Sequence, residues 1–324
     1  MCGLGIDYDY LEKRIRACDY LVVAQLFLQN NFLLKRDLTF DDIKPRLLGH
    51  WGTCHGINVA YTHLTNFYKD RNNNKDDSFS FVLGPGHGFP ALQANLFIDG
   101  DLLKVDSNAQ RNTAGIAYLC KNFSWPGGFP SHASPITPGV ISEGGELGYA
   151  LATAYGAALG HPEKTVAVLI GDGEFETATA LSSMNLVKLL GTKASGRVLP
   201  ILHLNGYKIS APTIYARKSE RELASLIRGF GYTPLFVDAE EAEDFVIALE
   251  KSQEVDYPFI IMKSEKGYGG PEYVGGQKIA GNFLAHQIPL KNAKTDIREL
   301  HILEDWLKSY HFEELFDDTK GFTL

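Results

Sequence analysis

The chain has 324 residues, a formal net charge of −8 and 44% hydrophobic side chains, which is typical of a globular protein with a large buried core. Its Lys and Arg residues are scattered without a basic run, which argues against a nucleic-acid surface. No segment reaches the roughly 18 apolar residues that a membrane span needs.

The cysteines and the first residues indicate the compartment. No pair of cysteines has CxxC or zinc-type spacing, so we expect buried or incidental thiols in a reducing environment. The first eight residues lack the basic region and the long apolar segment of a signal peptide. We therefore expect a cytoplasmic protein. The cysteines are Cys2, Cys18, Cys54 and Cys120.

The first third of the chain divides into a helical part and a loop-rich part. Hydrophobic periodicity predicts an amphipathic helix at 10–29, and 39–43 reads as a capped turn. We assign residues 1–45 to an N-terminal helical segment packed on the main domain. Residues 50–148 are rich in glycine, proline and histidine. They are predicted to form loops separated by short helical or strand-like stretches, which suit close backbone approach to a ligand.

Two apolar segments farther along each end in a candidate metal ligand. Residues 165–170 are predicted to form a strand that precedes Asp172, and residues 198–204 a strand that precedes Asn205. A helix predicted at 175–190 connects them. A right-handed crossover makes the strands parallel, so both carboxyl ends lie at the ligand-binding edge of the sheet. Oxygen donors there suit Mg²⁺, which usually also binds substrate phosphates, so a magnesium-bound diphosphate is the implied occupant.

Gly-Asp-Gly is also a common strand-end turn, because Asp and Gly favour turns. The order strand, GDGE, helix, strand, NG favours the metal site over the turn, and it resembles the pattern of thiamine diphosphate enzymes.

The rest of the chain alternates between helices and strands. This alternation predicts an α/β fold with a mostly parallel, doubly wound sheet and helices on both faces. We assign residues 46–290 to the main domain and residues 291–324 to a C-terminal helix and tail. The predicted helices are 149–159, 219–229, 240–250 and 296–307, the predicted strands are 233–237 and 259–262, and the tail 317–324 is expected to be mobile.

Four histidines lie in loops, at His50, His87, His132 and His286. Any one of them is as readily structural as chemical, but together they favour proton transfer or binding of polar oxygens. They lack HxH and HExxH spacing, which argues against zinc. Lys266, beside glycines after the last strand, is either solvated or in contact with an anion. His55 is a fifth loop histidine without an assigned role, and the remaining histidines, including His203, read as core or surface residues.

Several motifs together resemble phosphoketolase, in order along essentially the whole chain. They are KPRLLGHWG, GPGHG, PGGFPSH, EGGELGY, GDGE, LPILHLNGYKI and AHQ. The resemblance implies cleavage of xylulose 5-phosphate or fructose 6-phosphate with inorganic phosphate, giving acetyl phosphate and an aldose phosphate. It also implies thiamine diphosphate and Mg²⁺ as cofactors.

The resemblance implies a role for each matching residue. Three groups would bind Mg²⁺: Asp172, Asn205 and the backbone carbonyl of Tyr207. Catalytic side chains would face the thiazolium and the sugar: His50, His87, His132, Lys266 and His286. Other residues would border the aminopyrimidine or the diphosphate: Gly145, Glu146, Leu147, Gly173 and Glu174. The helix after GDGE would add its dipole and N–H groups at the diphosphate.

The chain resembles only the first module of phosphoketolases. The resemblance therefore implies a partner chain with the pyrimidine-binding module and its activating glutamate, in a dimer or hetero-oligomer with helix 149–159 near the interface. A split transketolase-like subunit and a non-catalytic or truncated module remain alternatives. Local departures from the family are Cys54-His55, Ser142 and Phe175, of which the first two are expected to affect substrate preference.

Overall fold

The computed structural model describes residues 6–71, 79–137, 139–190 and 195–324. Its centre is a five-stranded, fully parallel sheet in the order β1–β2–β3–β5–β4. The predicted α/β class and the predicted parallel sheet are confirmed. The strands are β1 (Phe79–Leu83), β2 (Thr165–Gly171), β3 (Arg197–Leu204), β4 (Thr233–Asp238) and β5 (Pro258–Lys263).

Helices cover both faces of this sheet. They are α1 (Tyr8–Phe27), α2 (Cys54–Arg71), α3 (Phe89–Asp99), α4 (Thr113–Asn122), α5 (Ala150–Ala158), α6 (Ala178–Ser183), α7 (Leu186–Leu190), α8 (Glu220–Gly229), α9 (Ala242–Glu254) and α10 (Ile297–Lys308). Alternate strand residues point to opposite faces, so the core has two halves. Ala167 and Leu169 pack with α1–α4, α9 and α10, whereas Val166 and Val168 pack with α5–α8.

Helix α1 is an integral part of the core. Asp7 caps its first turn by accepting a hydrogen bond from the N–H of Tyr10 at 3.0 Å, and most of its second half is fully buried against α2 and α3. Lys44 donates hydrogen bonds to the carbonyls of Gln25, in the last turn of α1, and Phe123, just beyond α4, at 2.6 and 3.2 Å. These helix ends carry partial negative charge, which compensates the buried ammonium and fixes the chain that leads to the His50 loop. The three-part domain assignment stays a prediction.

Two predicted elements are wrong. The helix expected at 175–190 is instead a 3-10 turn (Glu174–Glu176) followed by α6 and α7, because Thr177 starts a new helix by accepting a hydrogen bond from the N–H of Ala180. The tail expected to be mobile forms a hairpin of β8 (Phe316–Asp317) and β9 (Gly321–Phe322). Phe322 packs against aromatic rings there, at 5.1 Å from Phe316, and this apolar contact orders the tail. A second hairpin joins β6 (Tyr273–Val274) to β7 (Gln277–Lys278).

The loop-rich segment also contains more regular structure than predicted. Helices α2, α3 and α4 lie within 50–148, and α2 alone extends over 18 residues. The motif loops remain between these helices, where the sequence predicts them.

The carboxyl ends of four strands converge on one edge of the sheet. Strand β1 leads to the loop with His87, β2 to Asp172, β3 to Asn205, and β5 to the loop with Lys266. Gly171 pairs in register with His203, so Asp172 and Asn205 follow from neighbouring strand ends, as predicted. Ligands of open parallel sheets bind at this edge.

Candidate active site

A cavity of about 360 Å³ opens at the carboxyl edge of the sheet. It brings together residues from distant segments of the chain, as the sequence predicts. Every predicted site residue except Glu146 lines it: His50, His87, His132, Gly145, Leu147, Asp172, Gly173, Glu174, Asn205, Tyr207, Lys266 and His286. Glu146 is exposed and does not line the cavity.

The four loop histidines form one cluster with His50 at its centre. The His50 ring lies 5.0 Å from that of His87, 5.5 Å from that of His132 and 5.2 Å from that of His286, each in an edge-to-face arrangement. The rings of His87 and His286 are 4.8 Å apart. The Nδ1 atoms of His50 and His286 are buried without a hydrogen-bond partner among the described residues.

Burial keeps this cluster neutral. It lowers the pKa of His50 to about 4, with further lowering from His132 and Lys266. It lowers the pKa of His286 to about 3, with further lowering from Lys266 and His50. Burial, the other three histidines and Lys266 hold the pKa of His87 well below its usual value, and burial lowers that of His132 against the opposing charge of Glu143. A neutral imidazole has one acceptor nitrogen, so the cluster can accept hydrogen bonds from the hydroxyls of a bound molecule.

One ammonium group lies beside the predicted metal ligands. Lys266 Nζ donates a hydrogen bond to the backbone carbonyl of Tyr207 at 2.8 Å. Burial lowers the pKa of Lys266 to about 8, although the charge of Asp172 opposes this change. The lysine is buried rather than solvated, and its contact with a bound anion stays a prediction.

The three predicted metal ligands can each still accept a cation. Asp172 Oδ2 accepts hydrogen bonds from the N–H of Gly206 and the hydroxyl of Thr213 at 2.7 and 3.0 Å. Among the described residues, its Oδ1 accepts a hydrogen bond only from the N–H of Gly173. Asn205 Oδ1 and the Tyr207 carbonyl oxygen each accept one hydrogen bond. Since an sp² oxygen has two lone pairs, one remains free on each of the three oxygens.

The donor set therefore fits a hard cation held by few protein oxygens. Burial raises the pKa of Asp172 to about 6 despite its hydrogen bonds, so at neutral pH the group is mostly a buried carboxylate. Within the described ranges no three His, Cys, Asp or Glu side chains are arranged to hold a metal ion. A site here thus depends on the amide and the carbonyl as well as on Asp172.

Glu174 has a structural contact that the sequence does not reveal. Its two carboxylate oxygens accept hydrogen bonds from the backbone N–H groups of Gly148 and Gly171 at 3.1 and 3.2 Å. Burial raises its pKa to about 7. Glu174 therefore joins the EGGELG loop to the end of β2. The long helix whose dipole was expected here is absent, as described above.

A glycine pair joins three of the motif loops. The backbones of Gly86 and Gly144 are so close that a Cβ added at Gly86 would lie 2.2 Å from the Cα of Gly144. Ala133 bridges them, since its N–H donates to the carbonyl of Gly86 at 2.9 Å and its carbonyl accepts from Gly144 at 2.7 Å. The loops of His87, His132 and Gly145 are thus fixed relative to one another.

Sequence reasoning misses two polar residues of the cavity, Thr53 and Lys208. Thr53 directly follows GHWG and Lys208 lies within NGYKI, so their place in or beside a motif is the pattern that indicates them. Lys208 forms an ion pair with Glu176 at 2.6 Å beside the cavity. The hydroxyl of Thr53 forms a hydrogen bond with His203 Nδ1 at 3.2 Å.

The departures expected to affect substrate preference do not line this cavity. Cys54 is fully buried and its thiol donates to the carbonyl of His50 at 3.0 Å. His55 forms a buried ion pair with Asp19 at 2.7 Å. Ser142 lines a separate cavity beside β1. Each of these side chains faces another part of the fold, so a direct contact with substrate in this cavity is not supported.

Comparison with known proteins identifies the family. The XFP N-terminal domain family matches residues 7–323. A probable phosphoketolase from Bradyrhizobium diazoefficiens is 42% identical over 96% of this chain, and one from Pseudomonas putida is 44% identical over 96%. The chain spans 41% and 42% of the lengths of these curated relatives.

Solved structures with the same fold are transketolases. The enzyme from Campylobacter jejuni superposes with a TM-score of 0.65 at 17% identity, over 95% of this chain and 48% of that one. The enzyme from Leishmania mexicana gives 0.64 at 18% identity, over 95% and 46%. At such identities the likeness shows the fold alone. No helix among the described residues is both long and apolar enough to cross a membrane.

From the family match over nearly its whole length, the chain belongs to the phosphoketolase family, as its N-terminal module.

Proposed function

We propose that this chain is the diphosphate-binding subunit of a phosphoketolase-type enzyme that requires thiamine diphosphate and Mg²⁺. The enzyme would cleave a ketose phosphate with inorganic phosphate to acetyl phosphate and an aldose phosphate. The observation that carries the proposal is the meeting, in one cavity, of four neutral imidazoles, one buried ammonium and the oxygens of Asp172, Asn205 and Tyr207.

The three oxygens would hold Mg²⁺ and, through it, the diphosphate. When bound, thiamine diphosphate supplies the carbon nucleophile and the electron sink for carbon–carbon cleavage. The side chains of this chain then have two tasks. His50 and its neighbours would accept the proton of a substrate hydroxyl and return a proton to a departing hydroxide, as general base and then general acid. Lys266 would stabilise negative charge that develops on a substrate oxygen.

The cavity mouth supports the proposed partner chain. Leu147 and Ile209 line the cavity yet are 42% and 59% exposed, so apolar surface borders a polar site. A second polypeptide that covers this rim would exclude water and strengthen the electrostatic interactions of the site. We propose that it carries the pyrimidine-binding module with the glutamate that activates the cofactor, in a dimer or hetero-oligomer.

The test is the formation of acetyl phosphate. The chain is co-purified with a candidate partner that carries a pyrimidine-binding module and incubated with xylulose 5-phosphate, thiamine diphosphate and Mg²⁺, with and without inorganic phosphate. Acetyl phosphate that depends on phosphate and on both chains supports the proposal. Two-carbon transfer to an aldehyde without a phosphate requirement would establish transketolase-type chemistry instead, and no product from any partner pair would exclude an enzymatic role.

A further inference from the structure

A buried histidine beneath the cavity is held between two hydroxyl groups. His203, in β3, is 1% exposed. Its Nδ1 lies 3.2 Å from the hydroxyl of Thr53, and its Nε2 lies 2.7 Å from the hydroxyl of Ser264. Thr53 lines the cavity, whereas Ser264 is partly exposed just after β5. The three side chains thus form a continuous hydrogen-bonded chain from the cavity toward the outside of the molecule.

The partners of His203 leave its tautomer free. A carbonyl or carboxylate beside one ring nitrogen can only accept, so it fixes the proton on that nitrogen. A hydroxyl both donates and accepts. With a hydroxyl on each side, the Nδ1–H and Nε2–H tautomers both satisfy every hydrogen bond of the chain. The ring is uncharged in both tautomers, and each tautomer has one donor and one acceptor nitrogen.

We propose that Thr53, His203 and Ser264 form a proton relay between the cavity and the outside of the protein. To carry a proton out, Thr53 Oγ1 accepts it and passes its own proton to Nδ1. Nε2 then gives its proton to Ser264 Oγ, whose own proton passes to water. One proton leaves the cavity, the ring is neutral before and after, and only the tautomer has changed from Nε2–H to Nδ1–H. The reverse sequence brings one proton in and restores the first tautomer.

The direction in which protons pass through the relay during turnover rests on the proposed function. Cleavage of a ketose phosphate by the proposed route removes one proton from a hydroxyl and later returns one to a departing hydroxide. One outward and one inward transfer per turnover would reset the relay without rotation of the buried ring. His203 and Ser264 would act through Thr53, which is the only member of the three that lines the cavity.

Ring-nitrogen chemical shifts of His203, measured by NMR on this chain alone, test the relay without any activity. The two nitrogens should both show averaged, intermediate shifts. Thr53→Val removes the hydroxyl at Nδ1 and should fix the proton on Nε2, whereas Ser264→Ala should fix it on Nδ1. Thr65→Val, which removes another buried hydroxyl of the same helical region, should leave both shifts unchanged. His203→Asn assigns the signals. A single fixed tautomer in the unmodified chain, or the same tautomer in both variants, would overturn the proposal.

The second readout is turnover with a partner chain. Thr53→Val and Ser264→Ala should lower kcat by at least about a hundredfold, the lower end of general acid–base effects, and should change the solvent isotope effect. Ser264→Ala should do so with KM unchanged, since Ser264 does not line the cavity. Unchanged kcat in both variants would reject the relay even if the tautomers shift. If no partner pair is active, the proposed function fails, while the nitrogen shifts still decide the relay.

Discussion

The ammonium of Lys266 lies 2.8 Å from the carbonyl oxygen of Tyr207 and faces a cluster of neutral histidines across the same cavity. A single buried cation thus affects both halves of the site. It adds a positive charge next to the oxygens proposed for Mg²⁺, and it lowers the pKa of His50, His87 and His286 in addition to the effect of burial.

Replacement of Lys266 by methionine tests this coupling. Lys266→Met keeps an apolar stem of similar length and removes the charge, so the pKa of His50 should rise from about 4 toward its ordinary value while burial still holds it below 6.5. NMR titration of the histidine rings measures the change. Lys308→Met, at a distant exposed lysine, is the control. A His50 pKa that does not move would show that burial alone keeps the cluster neutral.

Metal affinity should depend on pH through Asp172. Its pKa is raised to about 6, and only the carboxylate binds a cation, so protons compete with Mg²⁺ below that value. The Mg²⁺-dependent affinity for thiamine diphosphate should be nearly constant from pH 7 to 8 and fall by up to about tenfold per pH unit below 6. Calorimetric titrations at several pH values measure it. Undiminished affinity at pH 5 would contradict the assignment of Asp172 as the metal ligand.

The glycine pair should be essential for the shape of the site. Gly86→Ala would place a Cβ 2.2 Å from the Cα of Gly144, which is backbone and cannot turn away. We expect a loss of about 1–3 kcal/mol in the free energy of unfolding, as in other overpacked sites. Gly145→Ala is the matched control, because its Cβ would meet nothing within 4 Å. Urea unfolding compares the two. Equal stability of both variants would show that the loops separate without cost.

The buried ion pair of His55 predicts a pH-dependent stability. Burial lowers the pKa of His55, but the charges of Asp19 and Glu240 outweigh this effect and raise it to about 10. The folded protein therefore holds a proton that the unfolded chain loses near pH 6.5. The stabilisation is complete below pH 6.5 and is lost as the pH rises toward 10.

His55→Gln should therefore destabilise the protein most at pH 6 and least near pH 10. Urea unfolding of both proteins between these values measures the difference, since subtraction removes the contributions of other groups. His161→Gln, at an exposed histidine, is the control. A difference that stays constant with pH would mean that His55 acts by packing alone.

The sequence predicts the edge of the sheet better than the elements that support it. Apolar strands followed by Asp172 and Asn205 are a local pattern, and the handedness of the crossover brings their ends together. The break after Phe175 is different, because it depends on how Thr177 ends one turn and starts another. The tail is also held by a contact of Phe322 with Phe97, which is far away in the sequence and which no local pattern reveals.

The site shows the same division. Motif loops predict which side chains reach the cavity, because strand ends and glycine-rich loops determine their position. The contacts of Glu174, His55 and Ser142 depend on which neighbouring segment each side chain meets, and the sequence alone does not indicate these neighbours. Thr53 and His203 are missed for this reason: their importance comes from a contact between the residue that precedes α2 and a residue of β3.

The most direct test of the central claim is a calorimetric titration of thiamine diphosphate into this chain, alone and with a candidate partner, with and without Mg²⁺. We predict binding that requires Mg²⁺, strengthens with the partner and is abolished by Asp172→Asn. Asp256→Asn, at an exposed aspartate that does not line the cavity, is the control and should leave binding unchanged. Absence of metal-dependent binding in every combination would contradict the assignment of this cavity as the diphosphate site.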